Sequence, residues 1–211
     1  MWYWTETNSA GVAFAIWILE HDGLSIPPFD AHPEGDGQLR ALGLNASSWR
    51  SWIETIVGAE AKLADFMSRH DIRTLTVERR QALIGLDNDR EPLACWRGDP
   101  RIRSALEALW AIYWPLSESR AQTEATRKRR SWISAGQERR LWRQLKPLHD
   151  RLPILRVYPV EYAVPVALPI PPETCVVGIA AADADGRAYV DSVTAAARQL
   201  STTHGEGAAT S

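Results

Sequence analysis

Six titratable residues crowd one short stretch: His21, Asp22, Asp30, His32, Glu34 and Asp36. Imidazole nitrogens and carboxylate oxygens suit Zn, Mn or Fe, and a catalytic metal site needs only three protein ligands. His21, Asp30, His32 and Asp36 are the candidate ligands, or the acid–base groups of a hydrolytic site. Their spacing matches no metal motif, and Asp and Gly recur in loops for turn geometry alone. A structural loop is the stronger reading, and no cofactor is expected.

A second chemistry lies in the basic run Arg127, Lys128, Arg129 and Arg130. Followed by Trp132, Arg139, Arg140, Trp142, Arg143 and Lys146, it makes a basic segment spaced by aromatics. Nucleic-acid binding uses that composition, since cations neutralise phosphates and flat rings stack on bases. The competing reading is a solvated face balanced by Glu118, Glu124 and Glu138. Arg143 and His149 have a spacing that can act on a phosphodiester, but such pairs arise by chance and Pro147 breaks the helix between them. Phosphate-loop, dinucleotide-fingerprint, nucleophile-elbow and H-E-x-x-H patterns are all missing. Cys95 and Cys175 stand far apart and read as two thiols in a reducing compartment.

The third candidate is a contact surface. In residues 152–170, LPILRVYPVEYAVPVALPI, every even position but Arg156 is aliphatic or aromatic, while Pro153, Pro159, Pro165 and Pro169 are all odd. Strand side chains alternate between faces, and so do the N–H groups along the two edges. The pattern predicts extended backbone with one apolar face buried, either an edge strand or a series of short strands broken by proline. Tyr158, Val160, Tyr162, Val164 and Val166 are the residues such a face would offer to a protein partner or to a second copy of the chain.

The elements that must position these groups are mostly helical. The run Ala10–Asp22 has almost no polar face and predicts a central, buried helix. Leu24–Gly37 is a loop by its Pro and Gly content. A helical turn is expected over Gln38–Leu44. A long helix capped by Asn45 follows to about His70, with Trp49, Trp52, Ile53, Ile56, Val57, Leu63, Phe66 and Met67 on one face. Thr76 caps a short helix over Val77–Gly85. Asp99-Pro100 starts another, which Pro115 ends or kinks. Ser117–Ala135 is helical by propensity, and Gln137–Lys146 is a helix burying Leu141, Trp142 and Leu145. Thr174–Ile179 is a short apolar run. A final helix, Arg187–Leu200, turns Val190, Val193, Ala197 and Leu200 inward, and Ser201–Ser211 reads as a disordered tail.

The chain of 211 residues is long enough for one substantial core. The expectation is a single compact domain over 1–200, helical to about 150 and extended with a last helix thereafter. Its class is α+β, predominantly helical, with about six helices and a small proline-edged sheet near the C-terminus. A net charge of −2 gives no global pull toward a polyanion. The apolar run Ala10–Leu19 is about half a membrane span, and no basic residue precedes it, so a cytoplasmic protein without a membrane segment is expected. The function these features support first is a non-catalytic interaction protein, a subunit or adaptor. A metal-dependent or hydrolytic enzyme using the His21–Asp36 loop and a nucleic-acid-binding protein using Arg127–Lys146 are the alternatives.

Overall fold

The computed structural model describes residues 3–7, 9–22, 26–29, 37–70, 75–89, 91–126, 134–162, 165–179 and 186–207. The chain is α+β and mostly helical, with seven α-helices and one mixed four-stranded sheet among these residues. Its contacts divide it into two compact units. One comprises Met1–Ser9, Ile26–Asp30 and Ser117–Ser211, the other Ala10–Ser25 and Ala31–Leu116.

The helical unit is built on α1 (Ala10–Asp22), whose Val12, Phe14, Ala15, Ile16, Ile18 and Leu19 are all buried. At Gly11 a Cβ would meet Ile56 and Pro92 at 3.3 Å, so the bare backbone lets its neighbours close in. Gly37, with a φ of 69°, brings the chain into the short helix α2 (Gln38–Ala41). Helix α3 (Ala46–Arg69) opens on a reciprocal cap in which Asn45 and Ser48 each accept the other's backbone N–H. Trp49, Trp52, Ile53, Ile56 and Val57 face inward as the spacing predicts, but Met67 is 40% exposed, so the stripe runs out before the helix does. Phe14 centres an aromatic cluster. Trp52 and Trp110 stand edge-on to its ring at 5.9 and 4.8 Å, with Tyr113 tilted against it at 5.3 Å. Two buried indole N–H groups find acceptors, Trp49 on the Ala15 carbonyl at 2.8 Å and Trp52 on that of Pro92, while the buried N–H of Trp96 finds none among the described residues.

Two helices in this part of the chain run past their expected ends. Helix α4 (Val77–Asp89), capped by Thr76, passes through Gly85, which has no left-handed φ and so cannot stop it. Helix α5 (Pro100–Thr126) starts on the Asp99 carboxylate, which accepts from the backbone of Arg101 and Ile102, and continues through Pro115. Pro115 and Ala111, one turn earlier, both lie on the solvent side, so water can serve the carbonyl that the missing N–H leaves open. The division between units falls inside this helix, after Leu116.

The other unit is a sheet under two helices. The strands are β1 (Tyr3–Glu6), β2 (Ile154–Glu161), β3 (Val166–Ile170) and β4 (Thr174–Ile179), in the order β1-β2-β4-β3. β2 is parallel to both β1 and β4, with Glu6 opposite Val157 and Tyr158 opposite Val176. β3 is the antiparallel edge strand, with Pro169 opposite Cys175. Helices α6 (Ala135–Leu145) and α7 (Arg187–Gly207) pack on the odd-numbered face. Leu141, Leu145, Tyr189, Val190, Val193 and Leu200 meet Leu155, Val157, Cys175, Val177 and Ile179 there. α7 runs on beyond Leu200 to Gly207, and Ser201, Thr202 and Thr203 bond back to its own carbonyls.

The prolines now have a place. Even-numbered N–H groups of β2 point to β4, since Arg156 donates to Glu173 and Tyr162 to Ile179, while the Val157 carbonyl accepts from Thr7 on the β1 side. Odd-numbered Pro159 therefore withholds its donor on the β1 side, beyond the last β1 residue paired with β2, Glu6 opposite Val157. Pro169 cannot exchange bonds with Cys175, so the odd positions of β3 turn their nitrogens to the open edge. The expected even-face burial is present, with Tyr158 at 2% and Val160 at 3% exposure. β2, however, is an interior strand whose odd residues Leu155 and Val157 are buried as well.

Candidate nucleic-acid interface

Only part of the first loop falls within the described residues. His21 ends α1 with its ring stacked on Trp17, centroids 4.7 Å apart. Asp22 is buried, and its carboxylate accepts from the backbone N–H groups of Leu39 at 2.7 Å and Arg40 at 3.1 Å. It thus supplies the cap that Gly37 has no side chain to give α2. Asp30, His32 and Asp36 lie outside the described residues. Among those described, no three His, Cys, Asp or Glu side chains stand close enough to hold a metal ion.

The extended stretch is consumed by the sheet. Tyr158, Val160 and Tyr162 are buried, the last with its ring edge-on to Phe29 at 4.9 Å, and Val166 is half-buried at the start of β3. Val164 lies outside the described residues. Tyr158 and Val160 belong to an interior strand with a neighbour on each side, whereas Val166 opens the edge strand β3. Arg156, the one charged residue of the series, is buried beside Glu173, Nε to Oε1 3.0 Å.

A depression of about 380 Å³ beside α3 is lined by Glu54, Lys62, Cys95 and Arg97, among others. Cys95 is exposed, yet desolvation of its sulfur pushes the thiol up to about 11, against a weaker opposing backbone hydrogen bond. At neutral pH it is a thiol and a poor nucleophile.

The remaining candidate is α6. Ser134 caps it through the Gln137 N–H. Its residues divide into three faces. Leu141 and Leu145 go into the core. Arg140 reaches Asp191 of α7 at 2.8 Å, and Gln144 accepts from the Thr194 hydroxyl at 2.7 Å, so a second side is tied to α7. Arg139, Trp142, Arg143 and Lys146, at i, i+3, i+4 and i+7, fall within an arc of about 100° and all point to solvent. Trp142 was expected inward and is 42% exposed, with Arg139 and Arg143 beside it around a shallow depression of about 470 Å³. The expectation failed because Trp142 lies a quarter-turn from Leu141, where periodicity alone permits either outcome.

Arg127, Lys128, Arg129, Arg130 and Trp132 lie outside the described residues. In sequence, positions 127–146 hold eight Arg and Lys and one acid, Glu138, in a chain of net charge −2. The i, i+3, i+4, i+7 pattern of this outer face was present in the sequence and could have found it. Comparison with protein families, curated proteins and solved structures finds no match to the chain.

Proposed function

We propose that the protein acts by binding rather than by chemistry of its own, and that the outer face of α6 is its contact with nucleic acid. The observation that carries this reading is the outer side of α6, where Arg139, Trp142 and Arg143 lie exposed beside one another around a shallow depression. Three cations and an aromatic ring on one rigid face complement a polyanion that also offers flat bases. The described groups with chemistry of their own support the same reading, because Asp22 serves α2 and Cys95 is held as a thiol. A cytoplasmic setting fits two free cysteines, and no described helix is long and apolar enough to cross a membrane.

The test is fluorescence anisotropy with labelled DNA and RNA, single- and double-stranded, between 50 and 200 mM salt. Binding should weaken steeply with salt, because each neutralised phosphate releases counterions, and Arg139→Glu with Arg143→Glu should abolish it at moderate salt. No binding to any of the four at low salt ends the proposal.

A protein partner, or a second copy of the chain, is the second reading. Val77 and Ile84, two turns apart on α4, are 67% and 60% exposed and offer an apolar face that water does not favour. Native mass measurement tests it, since a partner or a dimer appears directly as added mass.

A further inference from the structure

We infer that the nucleic-acid contact crosses from α6 onto α7, with Arg198 as a further phosphate-binding residue, and that the ligand is a duplex held by the backbones of both its strands. This rests on the reading of α6 as a nucleic-acid contact and adds a second row of charge to it. Trp142, which has a contact within the protein, takes no part. Arg139, Arg143 and Lys146 on α6 and Arg198 on α7 are all exposed, and among the described residues none of the four is paired with a carboxylate.

Two contacts fix how these helices lie. Arg140 meets Asp191 and, one turn on, Gln144 meets Thr194, so α6 and α7 run parallel. Asp191, Thr194 and Arg198 fall at i, i+3 and i+7, a single row on α7. The first two hold α6. The third comes one turn later, beside the 3-10 turn Lys146–Leu148 that prolongs α6 and packs against α7. α6 has ended at Leu145 by then, and Arg198 is left exposed. Asp191, the acid on the same row, is already occupied by Arg140 at 2.8 Å.

Arg139, Arg143 and Lys146 span about 10.5 Å along α6. Packed helices lie about 8–10 Å apart, which sets Arg198 off that row by a similar distance. The strands of a duplex face each other across grooves about 6 and 12 Å wide, so two rows of long, flexible cations at this spacing can each take a strand. A single strand has one row of phosphates. The α6 row suffices to bind it, and Arg198 is then left without a target. A duplex also carries the denser charge, one per about 1.7 Å of axis, and returns more counterions for each phosphate neutralised. An anionic bilayer also attracts cations, but interfacial helices hold it by burying an apolar face, and here Leu141 and Leu145 are in the core.

The experiment uses the full chain with a labelled oligothymidylate, a labelled duplex of the same length, and phosphatidylserine vesicles. Wild type should bind the duplex more tightly than the single strand. Arg198→Gln should weaken the duplex about fivefold to tenfold at about 0.1 M salt and lower its salt slope by about 0.9, as expected for one lost phosphate, and should leave the single strand unchanged. Arg198→Lys keeps the charge and should restore most of the loss. Arg139→Gln with Arg143→Gln should weaken both nucleic acids, lowering the slope by about 1.8 for the duplex and about 1.4 for the single strand. Because Arg198 is exposed, thermal melts of its variants by circular dichroism should match wild type. Equal weakening of both nucleic acids by Arg198→Gln, or tighter binding of the single strand by wild type, overturns the duplex inference. No effect of Arg198→Gln on either, with the arginine pair still needed, confines the contact to α6 and overturns it as well. Wild type that binds neither nucleic acid overturns the reading beneath it, and binding to vesicles alone puts a membrane in place of nucleic acid.

Discussion

Replacing Trp52 by alanine tests the aromatic core where the structure makes the cost largest. The side chain is 1% exposed. Its rings stand edge-on to Phe14 and to Trp96, each at 5.9 Å, and its N–H donates to the Pro92 carbonyl. Truncation removes that apolar bulk from a site walled by other rings, which cannot collapse far into the space. Transfer and cavity terms for such a change come to about 3–5 kcal/mol. The Pro92 carbonyl, left without the indole donor, pushes the value toward the upper end. Against a usual total of about 5–15 kcal/mol, this is a large share of the stability. Trp52→Phe keeps one ring and loses the N–H, and should cost about 1–3 kcal/mol. Trp142→Ala, at an exposed position on α6, should stay within about 0.5 kcal/mol. The assay is urea denaturation followed by far-ultraviolet circular dichroism, because with ten tryptophans emission would mix many sites and the mutation would delete one of the reporters. A loss below about 1 kcal/mol for Trp52→Ala, with the urea slope unchanged, would refute the argument from burial.

Asp22→Ala strands the buried N–H of Leu39 and that of Arg40 and should cost about 1–3 kcal/mol, whereas Asp22→Asn keeps an acceptor and should cost less; denaturation curves of the two that overlay wild type would remove Asp22 as the cap of α2. Val160→Asp puts a carboxylate at a 3% exposed position of β2 and should cost several kcal/mol, while Val166→Asp, at the half-buried start of β3, should cost less; equal losses would contradict the gradient of burial from interior to edge strand. Burial raises the Cys175 thiol from 9.0 to about 12, so the folded state holds that proton more tightly than the unfolded one. The resulting stability is complete below pH 9 and is lost as pH rises from 9 through 12, and Cys175→Val should flatten that alkaline loss relative to wild type. A variant that loses stability in parallel with wild type over that range would exclude Cys175 as a source.

What could be read from the sequence was local. Asn45, Thr76 and Asp99-Pro100 begin helices because a cap needs only a side chain and the N–H groups two or three residues on. The inward rows of α3 and α7 follow from a repeat of 3.6 residues, which is complete within each helix, and the burial of α1 follows from its having almost no polar face. Stop signals were less dependable, since Gly85 and Pro115 both lie in helices that continue. A glycine ends a helix only if it adopts a left-handed φ, and a proline on the solvent side leaves a carbonyl that water can serve.

The sheet shows where local reasoning stops. The alternation in 152–170 and its odd-numbered prolines foretold extended strands and the edges their missing donors would face. They did not foretell that β1, a run of Tyr, Trp and Thr about 150 residues earlier in the chain, would pair with β2 and make it an interior strand. Nor did they show that α6 and α7 would cover the odd face. Those are non-local choices, decided by which apolar surfaces can be buried together. The candidate site divides the same way. Charge and aromatic content along 127–146 are properties of the sequence, and so is the i, i+3, i+4, i+7 spacing of Arg139, Trp142, Arg143 and Lys146. Which way Trp142 turns is not. That was decided when Leu141 and Leu145 took the core and α7 took Arg140 and Gln144, leaving the indole on the outer side of the helix, 42% exposed.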